Sequence, residues 1–270
     1  MSFKRIFQFS VRSVAGALLI CACTAAWAQT YPSKAVRIII PFPPGGPTDT
    51  VGRMLAQKLT EQTGQSFIVE NRPGGQAVIG GDAVAKSAAD GYTLLFSASS
   101  FTTTPMALKS APYDVVKDFT PIALVGKGPL AVSVNKQLPI RNIKELISYA
   151  HAHPGKMSFA IGSQASAGHL STELLKRAGK IDYLVVPYKG SAPAYQDLIG
   201  GAIDGFIDPV LGVLSYYKSG MVRVLAVTSK DRSPLCLMCR PLERPCPATS
   251  STAGMACGVH QVCPLKWSSD

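Results

Sequence analysis

The stretch VRIIIPFPPGGPTDTVGRMLAQKL, residues 36–59, decides how the rest of the chain is read. Val36, Ile38, Ile39 and Ile40 form a short apolar run, as a buried strand does. Pro41 to Pro47 reads as a loop. Thr48 suits the N-cap of a helix, where its hydroxyl would satisfy a backbone N–H. Val51, Met54, Leu55 and Leu59 recur at helical spacing, giving one apolar face, and Gly64 is a fitting stop. A strand feeding a glycine loop onto a helix N-terminus offers free N–H groups and the positive end of the dipole to an anion. The same pattern also serves as a plain strand-to-helix connection, so this element alone leaves both readings open.

Later segments repeat the unit. Ser66–Val69, Tyr92–Phe96, Met157–Ile161, Tyr183–Val186, Gly205–Asp208 and Val222–Val227 read as strands. Helices are predicted over Ile79–Ala88, Ile143–His153, Gly168–Ala178 and Pro193–Ile199. This alternation predicts an α/β fold with a largely parallel sheet, and Gly/Ser/Thr loops fall at the strand C-termini, the edge where such sheets bind ligands. Phe119–Val134 breaks the rhythm with two apolar strands separated by Gly126-Lys127-Gly128-Pro129, which marks a crossing into a second lobe.

Charge narrows the partners. The chain carries 27 Lys+Arg against 16 Asp+Glu, net +11, yet the excess is spread thinly without basic–aromatic interleaving, so a nucleic-acid footprint is not expected. Residues 1–28 read as a signal peptide. Lys4 and Arg5 precede the apolar run Val14–Cys23, and Ala26-Trp27-Ala28 fits cleavage before Gln29. That run is too short for a permanent membrane span. Cys23 loosely fits a lipoprotein acylation site, but the favoured expectation is a soluble periplasmic protein.

PFPPGGPTDTVGR (41–53), ENRPGG (70–75), VIGGDAVAKSAADGYTLLFS (78–97), DFTPIALV (118–125), VPYKGSAPAYQDLIGG (186–201) and VRVLAVTSKDRS (222–233) follow one another in order. Together with the leader they resemble the Bug/TctC-type receptors, the solute-binding proteins of tripartite tricarboxylate transporters, from about Gln29 to Leu235. The resemblance implies a two-lobed, type II-like periplasmic binding protein. Residues 29–121 and 223–235 would form lobe 1, and residues 122–222 lobe 2. It implies a monomer without cofactor or metal that closes on a small carboxylate, held by N–H groups, hydroxyls and water, and delivers it to membrane permease subunits.

Carried over by position, the first-lobe site comprises Phe42, Pro44, Gly45, Gly46, Thr48 and Asp49, with Ser97, Ser99 and Thr102 from the third-strand loop. The second lobe contributes Gly162, Ser163, Ser166, Gly168 and His169, then Tyr188, Lys189, Gly190 and Ser191. Asp208, at a strand end, either orients a loop or accepts from an amino or hydroxyl group of the ligand. Asp49 serves either the helix dipole or the ligand, and Lys189 is either a carboxylate partner or a solvated loop charge. A sensor of the same ligand is an alternative function. A hydrolase using Ser163 or Ser166 with His169 is another, though no G-x-S-x-G elbow surrounds them.

After Leu235 the text changes. Five of the seven cysteines (Cys236, Cys239, Cys246, Cys257, Cys263) crowd into residues 236–270, with no helical or strand period. A metal knuckle with His260 and a set of disulfides are two readings. The third comes from the genetic code. The run Cys-Leu-Met-Cys-Arg-Pro from Cys236 can be encoded TGC CTG ATG TGC CGA CC, which read two bases on gives Pro-Asp-Val-Pro-Thr, a stretch the family carries at this point. Residues 236–270 are therefore inferred to be an aberrant, frameshifted tail that leaves the first lobe C-terminally incomplete, with a bare strand edge.

Overall fold

Val36–Ile40 forms strand β1, four of its five residues buried, and the chain leaves it through the proline–glycine loop into helix α1, Pro47–Thr63. The computed structural model describes residues 31–107, 111–229 and, for the backbone, 252–257. It separates Met1–Lys34 from the unit Ala35–Asp270. The predicted leader lies outside the described residues, and of the first unit only the irregular residues 31–34 are described.

The α1 N-cap is Gly46, with Pro47 in the first turn, whose missing N–H costs nothing there. Thr48 is not the cap as the sequence predicts; it is buried one position inside the helix. Val51, Leu55 and Leu59 pack on the core, whereas Met54, expected on the same face, is 62% exposed.

The remaining elements alternate as expected. They are β2 (Phe67–Asn71), α2 (Val78–Ala85), β3 (Thr93–Ala98), α3 (Ser100–Ala107), β4 (Ala123–Asn135) and α4 (Ile143–Ala152). The second half adds β5 (Ser158–Ile161), α5 (Ala167–Gly179), β6 (Leu184–Pro187), α6 (Ser191–Gly200), β7 (Gly205–Pro209), α7 (Val210–Lys218), β8 (Val222–Val227) and β9 (Thr252–Cys257).

Two sheets share one strand. The first runs β2-β1-β3-β9 and ends on the N-terminal half of β4; β1 is parallel to both β2 and β3. In the second, β6, β5 and β7 are parallel neighbours, and the C-terminal half of β4 lies antiparallel between β7 and β8. Instead of the two strands expected within Phe119–Val134, β4 is continuous through Gly126–Pro129. Pairing explains this. β9 takes up Ala123–Pro129 and β7 takes up Leu130–Val134, so the glycines are held in register and no turn forms.

β8 extends the second sheet, and its last residue, Val227, pairs with Ala131. The tail also departs from expectation. Thr252–Cys257 forms a strand antiparallel to both β3 and β4, so these backbone edges are paired. Backbone hydrogen bonding carries this pairing, and backbone groups need no side-chain period. Cys236, Cys239, Cys246, Cys263 and His260 lie outside the described residues, and among the described residues no cluster of metal-ligating side chains occurs.

Strand alternation gives both sheets two apolar faces, as an α/β sheet sandwiched by helices requires. In lobe 2, Leu130, Val132 and Val134 of β4 join Phe159, Leu146 and Leu175, while Ala131 faces Phe206, Tyr195, Leu198 and Val213. In lobe 1, Ile38, Ile40 and Phe96 pack on α1, and Leu95 packs with Phe101 and Tyr113 on the other face. Among the described residues no helix is long and apolar enough to cross a membrane.

Candidate functional site

Five helices begin at the C-terminal ends of strands; the starts of four line one cleft between the lobes, and the fifth, α7, reaches it only through its N-cap Pro209 and the end of β7. Gly46, Pro47 and Thr48 come from the start of α1, and Ser99 and Ser100 from α3. Lobe 2 supplies Ser166, Ala167 and Gly168 at α5, Gly190, Ser191 and Ala192 at α6, and Asp208 and Pro209 at α7. The cleft encloses about 700 Å³ counted out to open solvent; Phe42, Pro43, Pro44, Ala98, Leu130, Gly162, Ser163 and Ile207 complete its wall. Each helix start carries a partial positive charge and N–H groups without intrahelical carbonyl partners, one of them at α5 capped by Ser166. Among the described lining residues Asp208 is the sole ionisable side chain, and none is Lys, Arg or His.

Local bonding fixes these loops. Asp49 is buried, and its carboxylate accepts from the Gly45 N–H (2.9 Å), Asn71 Nδ2 (2.8 Å) and Arg53 Nε (3.0 Å), while Asn71 also donates to the Phe42 carbonyl (3.0 Å). Burial alone raises the Asp49 pKa, but the hydrogen bonds from Arg53, Gly45 and Asn71 outweigh it and hold the group below the ordinary carboxylate value. Asp49 therefore ties the 41–46 loop to α1 and β2 and does not line the cleft. Ser166 caps α5, its Oγ accepting from the His169 N–H (3.2 Å) and donating to the Ser163 carbonyl (2.7 Å). Gly190 holds φ +105°, which strains any side chain, and a Cβ there would come within 3.2 Å of the Pro43 ring of the other lobe and crowd it.

Of the residues expected from the sequence, the cleft brings together Phe42, Pro44, Gly46, Thr48, Ser99, Gly162, Ser163, Ser166, Gly168, Gly190, Ser191 and Asp208. Seven others stand outside its wall. Gly45 lines a neighbouring groove behind α1, and Asp49 is internally bonded. Ser97 is buried in β3, and the Thr102 hydroxyl donates to the Ser99 carbonyl (2.8 Å). The His169 ring Nδ1 accepts from the Ala165 N–H (3.0 Å), Tyr188 donates to Asp197 (2.5 Å), and Lys189 is exposed on its loop. Sequence reasoning missed Ser100, whose buried hydroxyl has no protein partner, and the apolar wall of Pro47, Ala98, Leu130 and Ile207. Ser100 was findable, because it continues the hydroxyl run that supplies Ser99.

Among the described residues, two side-chain hydrogen bonds join the lobes. Gln76 Nε2 donates to Gln164 Oε1 (2.7 Å), and Thr103 Oγ1 donates to the Ala165 carbonyl (2.6 Å). Gln76, Ala77 and Ala165 at these contacts all have positive φ without being glycine, a conformation costing on the order of 1 kcal/mol or more each.

Comparison with known proteins gives a consistent picture. Residues 51–236 match the family described as "Tripartite tricarboxylate transporter family receptor". Protein BugT of Bordetella pertussis is 44% identical over 211 residues, 76% of this chain and 64% of that protein, so the match spans under two thirds of that relative's length. A UPF0065 protein from the tcbD-tcbE intergenic region of Pseudomonas sp. is 35% identical over 83% of this chain and 67% of its own length. Among solved structures, R. palustris Rpa4515 with adipate is 35% identical with TM-score 0.81, covering 84% of this chain and 76% of that one. MatC from Rhodopseudomonas palustris with bound malate is 30% identical with TM-score 0.77, covering 84% and 79%. The periplasmic binding protein BugD is 34% identical with TM-score 0.79, covering 84% and 77%.

Proposed function

Because the chain belongs to the tripartite tricarboxylate transporter receptor family, we propose that it is a periplasmic receptor that binds a small organic carboxylate and delivers it to the membrane permease of such a transporter. The observation that carries this reading is the convergence of four helix starts, and the cap of a fifth, on a cleft whose described wall holds no cationic side chain. Oriented N–H groups and hydroxyls in a partly desolvated cleft bind a carboxylate without a paired cation, because helix-end dipoles supply the positive potential. Ser100 adds a buried hydroxyl with no protein partner. The relatives solved with adipate and malate bind ligands of this class.

Catalysis has no support in the geometry. Ser166 donates to a carbonyl and the His169 ring accepts from a backbone N–H, so neither serves the other as nucleophile and base. Export to the periplasm would follow cleavage after Ala28. We further read residues after Leu235 as out of frame; the family match ends at residue 236, beside the point where the cysteine-rich text begins. The gene's nucleotides test this, and an absence of family-like text in the neighbouring frame would reject it.

The function is tested by a thermal-shift screen of the chain from Gln29 onward against succinate, malate, adipate, benzoate, glucose and putrescine. One or more acids are expected to raise Tm by several degrees when present at about a hundred times Kd, where linkage stabilises by about 2.7 kcal/mol. Stabilisation by glucose or putrescine with none by the acids would reject the carboxylate reading.

A further inference from the structure

Asp208 is the odd group in a cleft otherwise lined by donors and apolar walls. It sits at the end of β7, 7% exposed, and its Oδ1 accepts from the Ser191 hydroxyl at 3.0 Å. Ser191 itself lines the cleft at the first turn of α6. The other oxygen, Oδ2, is buried without a hydrogen-bond partner and lies against Gly212 of α7, where an added Cβ would approach it to 2.6 Å. One edge of the carboxyl therefore addresses the cleft through Ser191, and the other is sealed under α7.

A serine hydroxyl has one proton to give. When Asp208 is ionised, Ser191 must spend that proton on Oδ1 and presents only lone pairs to the cleft. When Oδ1 carries a proton, the carboxyl donates to Ser191 Oγ, and the Ser191 proton is released toward the ligand. We propose that the Asp208–Ser191 pair sets the chemical class that the cleft accepts: with a proton on the pair Ser191 donates to a carboxylate, and without it Ser191 accepts from a hydroxyl or ammonium group. This rests on the proposed carboxylate function and adds that the ligand is taken up together with one proton from solvent. Asp208 is a positioning residue in this scheme, since it acts through Ser191.

The surroundings favour such coupling. Facing Asp208 from α6 is the buried Tyr195, whose own titration burial pushes well above the ordinary tyrosine value, with Tyr216 of α7 packed against the Tyr195 ring. Pro47 of α1 and Gly212 of α7 are apolar neighbours, Ala131 is the register partner on β4, and Lys189 is exposed on the preceding loop. No described cation lines the cleft. An incoming carboxylate thus meets Asp208 with no compensating charge, and two like charges in one desolvated site do not both stay ionised. Burial raises the Asp208 pKa to about 7, with the Ser191 hydroxyl and the neighbouring Tyr195 hydroxyl both holding it from going higher, so the switch lies in the physiological range.

The sign follows by linkage. Binding raises the Asp208 pKa further, so affinity is constant below the free value and weakens as pH rises above it, by up to about tenfold per unit. The experiment titrates succinate, malate, adipate and benzoate into the chain from Gln29 onward by calorimetry between pH 5.5 and 8.5, in two buffers of different ionisation enthalpy. Expected are net proton uptake on binding and a Kd that rises above about pH 7. Asp208→Asn is expected to hold the acid-side affinity at every pH, because its amide N–H donates to Ser191 permanently. Ser191→Ala is expected to bind more weakly than wild type at acid pH, because the donated proton is lost, while keeping the part of the slope that comes from the Asp208 charge itself. A wild-type Kd that is flat or falls with pH, a slope that survives in Asp208→Asn, or an acid-side affinity unchanged in Ser191→Ala, overturns the switch while leaving carboxylate binding intact. Failure of all four acids to bind overturns the parent reading instead. If Asp208→Asn does not fold, wild-type proton uptake in the two buffers still decides the matter.

Discussion

Asp49→Ala is expected to cost about 3 kcal/mol of folding stability near neutral pH and to weaken ligand binding at least tenfold. The carboxylate accepts from three donors on three segments: the Gly45 N–H, Asn71 on β2 and Arg53 one turn along α1. Hydrogen bonds to a charged acceptor contribute about 1.5–3 kcal/mol each, and the exposed donors regain part of that from water. Arg53 is half exposed, so its ion-pair share is small. The function suffers because the same side chain positions the 41–46 loop that forms one cleft wall. The pH dependence identifies the mechanism. Asp49 has a depressed folded pKa, so its contribution is full above the unfolded carboxylate value and is lost as pH falls through the folded one. Urea denaturation at pH 7 and again at pH 3 should therefore show the gap between wild type and Asp49→Ala shrinking in acid. A gap independent of pH would mean that packing, and not the charge network, makes Asp49 valuable.

Gly168→Ala is the second large effect. An added Cβ would lie 2.5 Å from the Ile207 carbonyl oxygen, a backbone atom that cannot rotate aside. α5 would have to lift from β7, and overpacking of this kind typically costs about 1–3 kcal/mol. Since α5 and β7 both supply cleft wall, affinity should fall at least tenfold alongside. Gly200→Ala is the control. It lies at the end of α6 with nothing within 4 Å of the new atom, and should change stability by less than about 1 kcal/mol. Equal losses at both positions would refute the close-approach argument.

The α/β alternation was legible because its strands are short continuous apolar runs, such as Val36–Ile40, and its helices end at glycines such as Gly64 and Gly201. Two features of the sheets were not. The unbroken β4 depends on partners nearly eighty residues away in β7 and farther still in β9, and nothing local in Gly126-Lys127-Gly128-Pro129 announces them. β9 itself is held by backbone pairing, to which side-chain periodicity is blind. Most of the loop glycines and serines expected at the site follow strand ends, and the cleft brings them together. Asp49 and His169 were carried into the expected site by position in the resemblance, yet each is tied to a backbone N–H four residues earlier, Gly45 and Ala165. Such i, i−4 contacts depend on where the helix starts, and for α1 that was misplaced at Thr48. The apolar wall residues Ala98, Leu130 and Ile207 offer no donor and left no chemical signature to read.

The hydrogen bonds between the lobes add little to holding the cleft closed. They are Gln76–Gln164 and Thr103–Ala165, two neutral hydrogen bonds worth together about 1–3 kcal/mol. The left-handed backbones of Gln76, Ala77 and Ala165 carry a cost at least as large. Contacts offset in this way do not hold the cleft closed by themselves. On the proposed receptor function, residence time would then be governed by the ligand's own bonds.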